Sequence, residues 1–579
     1  MKEKQSKKEL AGILFFLLGA GMLVSSAFLC VGSDIWYDEV FSLGLVRKPV
    51  WELISITARD VHPPLYYLIL KLFLTAVPES TAAMQVTAAK LVSWLPFLCM
   101  LLLAVFPVKK YFGTLSAGLF FFLTMSMPGL SEYTVEIRMY SYAALFVVMT
   151  MTEAFGVLTE GRRRNWILLT GAALCACYTH YFACVAACMV YLYVLVMLLL
   201  KKQKNELRSF FFSAAVCVIC YLPWLLAAVT RQVSQVKESY WIQPVSLRTL
   251  GGCVKFLFAP DFSSGKVSAV MAVVLFFLFA GEILEDIFLL LSKRRNGGMA
   301  VSFSLGCLMP VAGIIIFGFL ASVLIKPVLG YRYLVPAMPC MWLSLAVFLG
   351  NRSCRAEGFL TGWESKEDGT GQKEKRKKAE SAVIAAVLLL FVIIGGCDFR
   401  AFYGNEMWKQ KQMKEAQEVL TKLSEEDAVT IFNFGQLQAV MAYYEGSDSF
   451  LWYERAEELV KELFPEVHDL AEGEFTDEAG ISQLRELLKE DRKVYFLGSG
   501  KAREEIVEKW QEAGIFAREY GSAMIERYWF NLYVLTIDEE VYGLQDHRFF
   551  RRAAVRENVL KASDDFKKII STDIDLNSL

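Results

Sequence analysis

The residues able to do chemistry gather in five short stretches, each set between long apolar runs. The first reads Trp36-Tyr37-Asp38-Glu39, and the second Asp60-Val61-His62-Pro63-Pro64-Leu65-Tyr66-Tyr67. The third runs from Glu132 to Tyr140 and holds Glu136 and Arg138. The fourth is Tyr178-Thr179-His180-Tyr181, and the fifth passes from Lys326 through Arg332 to Pro336. Brought to one membrane face, these carboxylates, imidazoles and guanidinium groups can build a site for an anionic lipid head group.

Each stretch also has a plainer reading. Asp38 and Glu39 suit a helix N-terminus, where carboxylates meet the positive end of the dipole. Pro63 and Pro64 suit the first turn of a helix. Arg138 at a membrane edge is an ordinary snorkelling anchor, and Arg332 between tyrosines fits an aromatic belt. His180 alone fits a satisfied interfacial residue. The order of the stretches and their shared side favour the functional reading.

The elements that must position them are membrane spans. Only 21% of the 579 residues are charged against 55% hydrophobic. The charges pool in short clusters before residue 380 and spread evenly after it. The net charge of −1 hides this asymmetry, and no nucleic-acid partner is expected. Uncharged runs such as Ala11–Gly32, Gly113–Leu130 and Met299–Ile325 are long enough to cross a bilayer. Spans are expected at 11–32, 86–107, 113–130, 139–158, 165–180, 181–200, 210–229, 267–291, 299–325, 333–350 and 381–397. The fold class is therefore a polytopic α-helical membrane protein of about eleven spans over 1–397. A soluble α/β domain follows over 398–579.

Positive charge collects on the cytoplasmic side. With eleven spans, Lys109-Lys110, Arg162-Arg163-Arg164, Lys201–Lys204, Lys293-Arg294-Arg295 and Lys373–Lys378 all join the N-terminal lysines there. The five stretches and the soluble domain then lie outside. Pro64–Val77 is apolar but reaches only about 21 Å, short of the roughly 30 Å core. It is expected to lie against the outer face or dip into it. The first apolar run is too long for a cleaved signal and is read as a retained span. Segment 353–380 is read as a flexible cytoplasmic loop. The last of the 13 cysteines is Cys397, so the soluble domain has no disulfide.

The ordered stretches carry a resemblance. Asp38-Glu39 after an aromatic pair, then Asp60-Val61-His62-Pro63-Pro64-Leu65, resembles the protein O-mannosyltransferases and their bacterial relatives in glycosyltransferase family 39. Glu136-Ile137-Arg138-Met139-Tyr140, Tyr178-Thr179-His180-Tyr181-Phe182, Tyr221-Leu222-Pro223-Trp224 and Arg332-Tyr333-Leu334-Val335-Pro336 are similar to further motifs of that group. The likeness covers about residues 30–340, and the more distant lipid A aminoarabinose transferases share the architecture.

The resemblance implies an inverting GT-C glycosyltransferase of a bacterial plasma membrane. It would take a sugar from a polyprenyl-phosphate donor and add it to an acceptor outside the cytoplasm. An acceptor hydroxyl needs a general base within hydrogen-bond reach, for which Asp38 is the candidate, with Glu39 as orienting group or alternative base. The leaving phosphate needs positive charge. Arg138 and Arg332 are the candidates, with His62 and His180 as hydrogen-bond donors and Lys326 as a further cation. Asp38, Glu39 and His62 are candidate ligands for a divalent metal ion. Trp36, Asp60, Tyr66, Tyr67, Glu136 and Tyr140 would line the substrate groove.

After residue 397, helices are expected near 405–424, 480–490 and 501–513, and strands at Ala428–Phe434, Lys493–Leu497 and Asn531–Ile537. Gly498-Ser499-Gly500 before a helix is read as an ordinary strand-to-helix turn. Rival readings are a transporter or flippase, built on Glu153, Glu282, Glu285 and Asp286, a ligand-binding receptor, and a surface-polysaccharide polymerase.

Overall fold

The computed structural model describes residues 2–32, 35–77, 81–238, 242, 244–291, 298–358, 370–424, 428–435, 437–445, 450–452, 458–465, 468–469, 474–490, 492–525 and 528–538. The basic loop Lys293-Arg294-Arg295 lies outside them. By internal contacts the chain forms two compact units. One comprises 1–32 and 45–406, and the other 33–44 and 407–579.

The first unit is helical. Helix α1 (Lys2–Leu29) is followed in the chain by three short helices, α2 (Tyr37–Arg47), of which 37–44 belong to the second unit, α3 (Val50–Arg59) and α4 (Leu65–Leu74). Next come α5 (Ala82–Leu103), α6 (Lys109–Ser126), α7 (Tyr140–Glu160), α8 (Arg163–Thr179) and α9 (Tyr181–Leu200). The remainder are α10 (Lys204–Glu238), α11 (Leu247–Phe258), α12 (Gly265–Leu291), α13 (Gly298–Leu324), α14 (Met338–Gly358) and α15 (Thr370–Leu423).

Among the described residues, nine helical stretches are long and apolar enough to cross a membrane. One of them, Ala82–Ser126, has 45 residues. Drawn out as one rod it would reach about 68 Å, more than twice a bilayer core. It breaks at Gly113, four residues into α6, whose φ of 85° no ordinary helical residue adopts, so the apolar stretches on either side of that glycine are separate spans. Helix α8 has 17 residues and falls just short of the length criterion. Counting α5 and α6 separately and adding α8 gives one helix for each expected span. The short apolar helix α4 covers only 10 residues, about 15 Å, and does not span.

Contacts at the two ends of α7 agree with this threading. At its last turn, Glu160 pairs with Lys110, and with Arg162 at 3.3 Å. Lys201 Nζ donates to Leu158 O at 3.1 Å and reaches Met299 Sδ at 3.6 Å. Three basic connections expected on one side thus converge, near the start of α13. At its first turn, Tyr140 meets the stretches expected on the other side. The two ends are about 30 Å apart, one hydrocarbon thickness.

The polar segment expected as a loop at 353–380 is helical over 353–358 and 370–380, and 359–369 lie outside the described residues. Its Lys, Glu and Ala residues are strong helix formers, so they extend α14 and α15 instead. Helix α15 runs 54 residues, through the expected domain boundary at residue 397 without a break.

The second unit is α/β. Six strands, β1 (Val429–Phe432), β2 (Phe450–Trp452), β3 (His468–Asp469), β4 (Val494–Ser499), β5 (Phe516–Ile525) and β6 (Tyr528–Thr536), form one sheet in the order β3-β2-β1-β4-β6-β5. Strands β1 to β4 are parallel, and β5 and β6 add an antiparallel edge. Helices α16 (Leu437–Glu445), α17 (Glu458–Leu463), α18 (Glu478–Lys489) and α19 (Ala502–Glu512) connect them. The core gathers Val429, Ile431, Trp452, Leu484, Phe496 and Trp510.

Candidate active site

Three connections and the break between α8 and α9 meet around Tyr140. His180 sits at that break in extended backbone, which ends α8 and starts α9. Its ring lies 5.5 Å from Tyr140, 5.2 Å from Tyr333 and 5.7 Å from His62, centroid to centroid. Tyr133 packs edge-on to Tyr140 at 5.2 Å. The Arg332 guanidinium lies 6.0 Å from the Tyr140 ring centroid, within cation–π range. A 3-10 turn, Tyr331–Ala337, carries both Arg332 and Tyr333 into this cage. Phe182 stacks on Tyr333 at 5.0 Å and closes one side.

The protonation states follow from the contacts. The Phe182 N–H donates to His180 Nδ1 at 3.2 Å. That nitrogen is an acceptor, so the neutral ring carries its proton on Nε2. Burial holds the His180 pKa well below its usual value, and the charges of His62, Arg138 and Arg332 lower it further. His180 is therefore a neutral donor beside two fixed cations. His62 donates from Nδ1 to Asp60 Oδ2 at 3.3 Å, since a carboxylate can only accept. Asp60 thereby sets the ring orientation of His62.

Arg138 is 3% exposed. Its charge acts on both His180 and Tyr66, so it stands within electrostatic range of the His pair and of α4. Glu136 is half-buried, and its carboxylate helps raise the Tyr133 pKa, after burial itself, while Arg332 opposes the rise. Arg138, Arg332, His62, His180, Asp60, Glu136 and Tyr140 thus share one neighbourhood. Lys326 is half-buried in the segment joining α13 to the 3-10 turn.

Tyr66 and Tyr67 sit on α4 with no exposed surface. Tyr66 Oη is 3.3 Å from Ser93 Oγ, and its ring packs on Tyr67 and Tyr142. The ring faces expected to meet substrate are covered by protein here, and so is Tyr140.

Asp38 and Glu39 occupy the first turn of α2. Glu39 is 4% exposed, and its Oε2 accepts the Trp36 N–H at 3.2 Å. Asp38 and the Trp36 side chain are half-buried. Among the described residues no three His, Cys, Asp or Glu side chains gather as a metal-ligand set.

An apolar cavity of 620 Å³ has Pro64 and Tyr178 in its wall, each two residues in sequence from His62 or His180. Trp51, Ile54, Leu65, Leu68, Leu174 and Trp224 are among the residues that line it. Trp51 is 70% exposed, an unusual state for an indole unless something covers it.

Sequence reasoning did not single out Tyr133, Tyr333, Ser93 or Gln232. The first two lay inside quoted motifs, but ring packing is invisible in a motif. Gln232 donates to Thr57 O at 3.0 Å and accepts from Tyr181 Oη at 2.5 Å, tying α10 to α3 and α9. A lone glutamine at the polar end of a long helix gave no signal.

No protein-family model and no curated protein matches the sequence. Among solved structures, apo ArnT from Cupriavidus metallidurans matches over 91% of this chain and 98% of its own, with 12% identity and a TM-score of 0.52. ArnT bound to undecaprenyl phosphate matches over 91% and 99%, with 12% identity and 0.49. The oligosaccharyltransferase of Archaeoglobus fulgidus, tethered with an acceptor peptide, matches over 83% and 69%, with 12% identity and 0.45. At such identity the ArnT likeness is one of fold, and the chain is a polytopic membrane protein with the fold of the GT-C glycosyltransferases.

Proposed function

We propose that this protein transfers a sugar from a polyprenyl-phosphate donor to an acceptor hydroxyl on a protein, lipid or glycan. The site faces the outer side of a bacterial plasma membrane, with the N-terminus in the cytoplasm. The observation that carries this reading is the Arg138–His180–Arg332–His62 cluster, in which Arg138, His180 and His62 are buried and Arg332 half-buried, together with an apolar cavity whose wall holds Pro64 and Tyr178, two residues from His62 and His180 in sequence. A cationic cage with an apolar trough suits one ligand class, a phosphate on a long hydrocarbon. The polyprenyl chain lies along Trp51, Leu65 and Leu68, and the phosphate reaches the cage.

The acceptor oxygen attacks the anomeric carbon as the bond to the phosphate oxygen breaks. Attack from the face opposite the leaving group inverts the anomeric centre. Asp38 takes the hydroxyl proton. The electron pair of the broken bond goes to the phosphate, which departs as polyprenyl monophosphate. Arg138 and Arg332 stabilise its growing charge, and His180 Nε2–H donates to it.

The transporter reading would rest on the buried Glu282 and Asp286 of α12. Glu282 Oε1 accepts from Ser304 at 2.8 Å and Ser344 at 2.5 Å. Those bonds tie α12 to α13 and α14, as polar contacts between packed spans do, and favour a structural role. To test the enzyme reading, purified Asp38→Asn is assayed with a labelled lipid-phosphate sugar. Near-normal turnover removes Asp38 as the base. Turnover only with an oligosaccharide on a lipid diphosphate makes the protein a polymerase instead.

A further inference from the structure

Segment 33–44, which carries Asp38 and Glu39, belongs to the same compact unit as residues 407–579. One contact between them is at Gly44. A Cβ at that position would stand 2.8 Å from Phe464 Cζ and 3.3 Å from Leu463 Cβ. The first distance is shorter than a real Cβ contact and the second is tight, so a side chain at this position would have to push the Phe464 ring aside. Phe464 has no exposed surface and Leu463 is 3% exposed. They end α17, where the Phe464 N–H still donates to Val460 O at 2.8 Å. Val40, one turn before Gly44 on the same face of α2, is fully buried.

At about 100° per residue, Asp38 and Glu39 lie about 120° and 140° around α2 from Gly44. The face that meets Phe464 is therefore not the face that carries the acids. A grip at Gly44 holds the helix without occupying its chemical side.

We infer that the soluble domain is a working part of the transfer machinery, with Leu463 and Phe464 as positioning residues that set where the Asp38–Glu39 pair stands. This rests on the reading of Asp38 as the base. It gives the C-terminal domain a role in the chemical step itself. A sub-ångström displacement of a base costs rate long before it costs binding, so the signature is in kcat and not in donor KM.

The test uses the full-length protein in detergent with the lipid-phosphate sugar it consumes. Gly44→Ala adds only the offending Cβ. It is expected to lower kcat at least fivefold, with donor KM within twofold of wild type. Phe464→Leu in the same chain relieves the clash and is expected to restore at least half of the loss. A purely structural fault would not be rescued by trimming one distant ring while KM stays fixed. Wild-type kcat in both Gly44→Ala and Phe464→Ala overturns the inference, as does equal damage to kcat and KM. Asp38→Asn and Glu39→Gln run beside them. If those two variants turn over normally, the acid reading falls and takes the inference with it. If Asp38→Asn is dead while the Gly44 and Phe464 variants are normal, only the grip is lost.

Discussion

Arg138 is the most exacting place to test the site. It is 3% exposed, held in a stretch whose neighbours are fully buried, and within electrostatic reach of His180. A guanidinium so fixed cannot be replaced by solvent or by a swinging surface lysine. Removing one preorganised donor from a site that stabilises developing charge costs about 2.7–4 kcal/mol, or about 10²–10³ in rate. Arg138→Ala is therefore expected to lower kcat/KM for a lipid-phosphate sugar by that factor. Arg138→Lys keeps the charge but loses the planar fork. Losing one of two charge-assisted bonds predicts a loss of roughly tenfold or more. There is a second readout with a definite sign. The Arg138 charge helps hold the His180 pKa down. Without it His180 protonates more easily, so the acid limb of the rate profile moves to higher pH in Arg138→Ala. Initial rates across pH with the radiolabelled donor measure both effects. An Arg138→Ala protein that is folded, keeps kcat/KM within about threefold and shows an unmoved acid limb refutes the reasoning.

Asp38→Asn is expected to lower kcat by about 10²–10⁴, the usual contribution of a general base, as read by single-turnover transfer. Glu39→Gln keeps an acceptor for the Trp36 N–H but loses the charge at the start of α2, so it should cost only about 0.3–1 kcal/mol of stability, seen in thermal unfolding. His180 is held neutral when folded and protonates below about pH 6.5 when unfolded. Wild-type stability should therefore fall as pH drops below about 6.5. His180→Asn keeps a cap for the Phe182 N–H and does not titrate, so its melting temperature should fall less over the same range. Trp51→Glu puts charge in the apolar cavity and should raise KM severalfold for a long-chain donor but not for a two-isoprene analogue. Equal KM changes for both donors would remove the trough role.

The helical scaffold was readable because bilayer spans are written in hydropathy. Even the weak pair at 165–200 resolves into α8 and α9, split at His180. What hydropathy does not carry is helix rotation. Tyr66 and Tyr67 were legible as aromatic residues on a short helix, but not as rings turned inward onto Ser93 and Tyr142. The meeting of His62, His180, Tyr140 and Arg332 joins four connections far apart in the chain. Order and sidedness predicted their shared membrane face, while no local pattern encodes the ring distances. In the soluble domain, β1, β4 and β6 showed as apolar or alternating runs. Strands β2 and β3 have 3 and 2 residues, too few to show a period. In β5 the register slips between Glu519 and Gly521, which erases alternation. The association of segment 33–44 with residues 407–579 is a long-range contact with no sequence signature at all.

The central claim is that a lipid-linked phosphate is released at the arginine–histidine cage. The most direct measurement incubates purified protein with a panel of polyprenyl-phosphate sugars and follows the phosphorus signal. We expect at least one donor to yield polyprenyl monophosphate, with the yield collapsing in Arg138→Ala and Arg332→Ala. Monophosphate release that is indifferent to both arginines, or no release from any monophosphate donor while a lipid diphosphate is consumed, contradicts the account.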